Sequence, residues 1–198
     1  DQRLPERTVG TALFADLVGF TPLTEALVVA HGPHRGAEEI THLLNRVYAG
    51  LIDAVDRFGG SVINFSGDAI TCWFDQDSSR QAVAAGLAMQ HAFQELTLPP
   101  PLHHQPAALG LKVAVAAGPV RRLLVGDPAE HVVEVLAGRT VERMAAGTRH
   151  CPGRVIAASG PLRGSLACFQ QAERDVHASL AQLISNRVRT YGPCNYKS

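Results

Sequence analysis

The sequence predicts a mixed fold, α/β or α+β, in a single domain spanning residues 1–198. Three observations carry this expectation: apolar β-type runs alternate with stretches of helical periodicity, glycine and proline clusters separate them, and 198 residues suit one domain with a substantial core.

Residues 8–18, TVGTALFADLV, read as a strand buried on both faces. A helix follows from Thr21, with Thr21 as its cap and Pro22 in its first turn. His31-Gly32-Pro33-His34-Arg35-Gly36 reads as an interruption. Residues 37–58 then place Ile40, Leu43, Leu44, Val47, Leu51, Ile52, Val55 and Phe58 on one stripe of a long amphipathic helix, ended by Gly59-Gly60. The runs SVINF and AITCWF form a hairpin around Ser66-Gly67-Asp68. Helical periodicity resumes over 79–96, and TLPPPLHHQPAALG reads as a surface connection. LKVAVAAGPV, RRLLVGD and HVVEVLAG are three further strands, followed by a helix over 140–149 and the strand RVIAAS. Beyond Gly160, LACFQQAE reads as an edge strand, whereas HASLAQLISNRVRTY fits helix or strand equally.

Eighteen Lys and Arg balance eighteen Asp and Glu, so no overall field favours nucleic acid or an anionic membrane. The four cysteines, Cys72, Cys151, Cys168 and Cys194, form no C-x-x-C pair, which argues against a disulfide framework or a structural zinc site and for a reducing, cytoplasmic setting. No apolar run is long enough to cross a bilayer. Any anionic ligand must therefore be held by a local device.

Asp16 is the anomaly that points to one. A carboxylate within the apolar run FADLVGF is costly to bury unless a cation or several hydrogen bonds compensate it. Asp68, 52 positions later, also stands at a strand end beside glycine. Either alone is a reasonable turn acceptor. Two such carboxylates converging in a partly dry site would repel and take up a proton unless a divalent cation neutralised both, and oxygen ligands suit Mg²⁺ or Mn²⁺.

FADLVGFTPLTE followed by GGSVINFSGDAITCWF resembles the paired metal-binding signatures of class III nucleotidyl cyclases, the adenylyl and guanylyl cyclases. The resemblance continues through LKVAVAAGPV, LLVGD, VLAG and CPGRVIAAS, over about residues 8–160, and is nearest to the first catalytic half of soluble adenylyl cyclases. It implies an α+β, ferredoxin-like fold, mostly antiparallel, with helices on one face of the sheet. It implies that Asp16 and Asp68, aided by the Leu17 carbonyl, ligate two Mg²⁺ or Mn²⁺ ions per competent site, and that the backbone amides of Gly19, Phe20 and Thr21 cradle the triphosphate of ATP. A turn entering a helix N-terminus presents unpaired N–H groups to phosphate, which makes that cradle physically sound. The product would be cyclic AMP.

The resemblance also shows what is missing. In the family pattern G-x-x-V-N-x-A-x-R, Gly138 and Val141 match, but Glu142 stands at the asparagine and Ala146 at the arginine. Asn64 replaces the base-reading lysine, and Val133 the polar partner. A bicarbonate site is not expected, because the resemblance puts Asn64 at its lysine and its arginine near Ala145, leaving Arg139 or Arg143 to compensate. A homodimer should then have little or no activity, and the competent arrangement pairs this chain with a complementary cyclase homology domain, in cis or in trans. The alternative is an inactive regulatory or dimerisation module.

Other polar and reactive residues have plainer expectations. His31, His34, His103 and His104 read as surface histidines, Arg121-Arg122 as a solvated turn or ion pair, Trp73 and Phe74 as core, and Cys72 and Cys151 as inert thiols.

Overall fold

The computed structural model describes residues 6–77, 79–96, 109–127, 130–149 and 156–159. Its elements in chain order are β1 (Arg7–Val18), α1 (Phe20–His31), α2 (Pro33–Arg57), β2 (Ser61–Ser66), β3 (Ala69–Asp75), α3 (Arg80–Gln94), β4 (Gly110–Asp127), β5 (His131–Ala137), α4 (Arg139–Arg149) and β6 (Ile156–Ser159). The fold is α+β. The sheet runs β2-β3-β1-β4-β5, every pair antiparallel, and β6 joins β4 in parallel.

β1 is central because it is apolar at both odd and even positions, so each face of the sheet must be covered. Leu13, Ala15 and Leu17 enter the larger core with Leu43, Val47, Leu51 and Val55 of α2 and Val83, Ala85 and Met89 of α3. Ala12 enters a second cluster on the opposite face, with Trp73, Ala114, Ala116, Leu136 and Met144, against which Phe14 and Val141 pack. Val141 and Met144 are one turn apart on α4. Helices therefore lie on both faces, correcting the one-face expectation. Trp73 and Phe74 are core residues as read from the sequence.

Three boundaries differ from the sequence reading. α1 starts at Phe20 with Gly19 as its N-cap, so Thr21 is the second helical residue and not the cap. α2 starts at Pro33, separated from α1 by Gly32 alone, because the Gly32 N–H closes α1 on the Val28 carbonyl at 2.8 Å and Pro33 suits a first helical position. LKVAVAAGPV and RRLLVGD form the single strand β4. Its edge away from β1 pairs with β6 over Val113–Ala116 and with β5 from Arg121 onward. Gly118-Pro119 falls in the gap between those partners, where the missing proline N–H interrupts no ladder. α4 closes the gap: Thr140 Oγ1 donates to the Pro119 carbonyl at 2.8 Å and Arg143 to the Ala117 carbonyl at 2.6 Å.

Among the described residues, β4 from Leu123 onward has only β5 as strand partner, and Leu123, Leu124, Val125, Val132 and Val135 on this ribbon are exposed. Arg122, within the strand and not in a turn, pairs with Glu134 across it at 2.5 Å. None of the described helices is long and apolar enough to cross a membrane. LACFQQAE, HASLAQLISNRVRTY, Cys151 and His103-His104 lie outside the described residues.

Candidate functional site

The site grows from the end of β1. Asp16 is register-paired with Ala69, the residue after Asp68, and the Leu17 N–H donates to the Asp68 carbonyl at 3.4 Å. β2 and β3 are joined by the two-residue turn Gly67-Asp68, and Gly67 takes φ of 62°, a left-handed conformation that suits glycine. The sheet therefore brings together the two carboxylates that lie 52 positions apart in the chain.

Their mutual influence is visible in the ionisation of Asp16. Burial raises its carboxyl above the ordinary value of 3.8, the Asp68 charge raises it further, and Lys112 opposes both. Lys112 is the direct register partner of Asp16 on β4, so the two side chains leave the same face of the sheet. That is the face of Ala12 and Phe14, with α4 packed on it farther along. Tyr48 of α2 approaches from the other side, and its hydroxyl donates to the Gly67 carbonyl at 2.5 Å. Burial raises its phenol, as do the charges of Asp68 and Asp16, so the hydroxyl keeps its proton and serves as a donor.

Gly19, Phe20 and Thr21 follow Asp16 after Leu17 and Val18 and form the entry to α1. Gly19 has φ of 80° and no side chain to cap the helix, and the first turn holds no acidic residue. The first N–H groups of a helix have no intrahelical acceptor, so this entry offers donors and the positive end of the dipole. Phe20 packs against the larger core while Thr21 is exposed.

No cluster of three or more His, Cys, Asp or Glu side chains exists among the described residues. Two such carboxylates are hard oxygen donors of the kind that would suit Mg²⁺ or Mn²⁺, the remaining positions being left to backbone carbonyls, water and phosphate oxygens. His31 and His34 join no such group.

Sequence reasoning did not find Lys112 or Tyr48. Lys112 carries the same signal that exposed Asp16, a charge inside an apolar strand, and Tyr48 carries a polar tip at the edge of the α2 stripe. Of the substituted positions, Asn64 is exposed on β2 four residues before Asp68, Val133 is half-buried on β5, and Glu142 is exposed in the first turn of α4. Arg143 is committed to the Ala117 carbonyl.

No family model matches the chain. Adenylate cyclase type 10 of Rattus norvegicus is 26% identical over 139 residues, covering 67% of this chain and 8% of the relative. An adenylate cyclase of Anabaena cylindrica is 33% identical over 85 residues, covering 43% of this chain and 15% of the relative. The crystal structure of the guanylyl cyclase Cya2 superposes with a TM-score of 0.64 at 26% identity, covering 82% of this chain and 79% of that one. In sequence and in fold the chain is thus similar to adenylyl and guanylyl cyclase domains of class III. The matched region spans about a twelfth of the rat relative's length; in this chain Asp16 lies near the end of β1 and Asp68 in the β2–β3 turn beside it.

Proposed function

We propose that this cyclase domain is the metal-donor half of an adenylyl cyclase, forming cyclic AMP and pyrophosphate from ATP when paired with a complementary homology domain. The observation that carries the reading is the juxtaposition of Asp16 and Asp68, with the uncapped entry of α1 two residues beyond Leu17.

In the reaction the ribose 3′-oxygen bonds to the α-phosphorus as the bond to the bridging oxygen breaks. Pyrophosphate leaves with that electron pair, and the hydroxyl proton passes to solvent. Divalent ions, when bound, would supply positive charge that makes the 3′-hydroxyl more acidic and offsets the phosphate charge. Asp16 and Asp68, aided by the Leu17 carbonyl, would hold two such ions. The amides of Gly19, Phe20 and Thr21 orient the triphosphate, and Lys112 adds a fixed cation beside it. The missing groups at Asn64, Val133, Glu142 and Ala146 must come from the partner, which the exposed β4–β5 ribbon would help to engage. ATP as substrate and a cytoplasmic setting belong to the same proposal.

Those substitutions favour a second reading, a regulatory module that pairs without catalysis. Glu142 would place negative charge where a phosphoryl transition state needs positive charge. The two readings separate on mixing the chain with a complementary half and measuring Mn²⁺-dependent cyclic AMP. Activity abolished by Asp68→Ala supports the catalytic half; equal product with and without that substitution overturns it.

A further inference from the structure

The carboxylate pair depends on a turn that has little else to hold it. Gly67-Asp68 is a two-residue reversal, Gly67 is exposed, and the link from the Asp68 carbonyl to β1 is a long bond of 3.4 Å. The short contact is the one from α2, the Tyr48 hydroxyl to the Gly67 carbonyl at 2.5 Å across 19 positions of chain. The Tyr48 ring is itself fixed edge-on against Phe65 of β2, with centroids 5.2 Å apart and an interplanar angle of 77°. Water could satisfy an exposed carbonyl, so satisfaction alone does not call for this bond; what it adds is position.

We propose that Tyr48 is a positioning residue of the cyclase site: its hydroxyl clamps the β2–β3 turn so that Asp68 is presented to Asp16. This rests on the reading of the two carboxylates as metal ligands. Tyr48 acts through the residue before Asp68, one step farther out than a direct hydrogen-bond partner of a metal ligand.

The test uses the whole 198-residue chain, with Mn²⁺ and a non-hydrolysable ATP analogue, free Mn²⁺ being followed by electron paramagnetic resonance. Amide hydrogen exchange of the turn is measured separately on the metal-free protein. Tyr48→Phe keeps the ring and removes the donor. It is expected to weaken Mn²⁺ binding about tenfold and to speed exchange at Asp68 and Ala69, while the thermal midpoint stays near wild type. Phe65→Leu, which retains the hydroxyl, weakens binding less than Tyr48→Phe. Wild-type binding and unchanged exchange in Tyr48→Phe overturn the proposal, provided that Asp68→Ala abolishes binding. If Asp68→Ala binds as wild type does, the reading of the carboxylates fails and the clamp falls with it.

Discussion

The two faces of the central sheet are used for different ends. Odd positions of β1 send Leu13, Ala15 and Leu17 into a core closed by α2 and α3, a face built of aliphatic contact. Even positions send Ala12 and Phe14 toward α4 and include Asp16, which shares its face with Lys112. On the proposed reading of Asp16, the two faces of one strand thus divide stability from chemistry. A burial cost that would be wasteful in the first core is maintained on the second face, where a ligand can offset it.

The sharpest way to break this contrast is to substitute neighbours on opposite faces. Leu13→Ala, at a fully buried site, should cost about 3 kcal/mol in urea unfolding while leaving the Mn²⁺ dependence of nucleotide binding intact in the folded fraction. Asp16→Ala should do the reverse, lowering Mn²⁺-dependent nucleotide binding by about a hundredfold or more with little loss of stability. Calorimetric titration and urea melts on both variants check the pair; matching profiles would dissolve the distinction.

A smaller effect sharpens it. The folded-state pKa of Asp16 lies above its ordinary value of 3.8, so as pH rises the unfolded chain loses this proton first and the folded state becomes relatively less stable across that window. Asp16→Asn should therefore stabilise the metal-free protein at neutral pH, with the gain shrinking as pH falls through the raised folded-state value and largely gone below 3.8. Thermal melts at pH 3 to 7 check the sign. The smallest effect is expected at Cys72, whose thiol burial pushes up to about 12. Iodoacetamide at pH 8 should leave Cys72 unmodified until the chain unfolds, as peptide mapping would register.

Much of this was legible in the sequence because it is local. The apolar run that holds Asp16 and the glycine-bounded turn that holds Asp68 announce themselves in single windows, as does the stripe of α2. What was not legible depends on pairing. Lys112 becomes relevant only when β1 and β4 lie in the register that sets it against Asp16, and register follows from the assembled core. Gly118-Pro119 looks like a strand end until β5 and β6 are seen to divide one edge of β4. Tyr48 fits a core stripe in a helical projection, and its hydroxyl acquires a role only once β2 and β3 fold back beneath it. The missing second set at Asn64, Val133, Glu142 and Ala146 was readable as letters, because an absence needs no geometry.

Arg143 gives this incompleteness a cost of its own. Its guanidinium fastens α4 to the interruption in β4 through the Ala117 carbonyl and stands 3.4 Å from the Thr140 hydroxyl. Recruiting that arginine for nucleotide chemistry would unlatch the helix from the strand beneath it. If the chain works as the proposed half-site, self-sufficiency would require a cation introduced elsewhere, because this arginine already serves the joint between helix and strand.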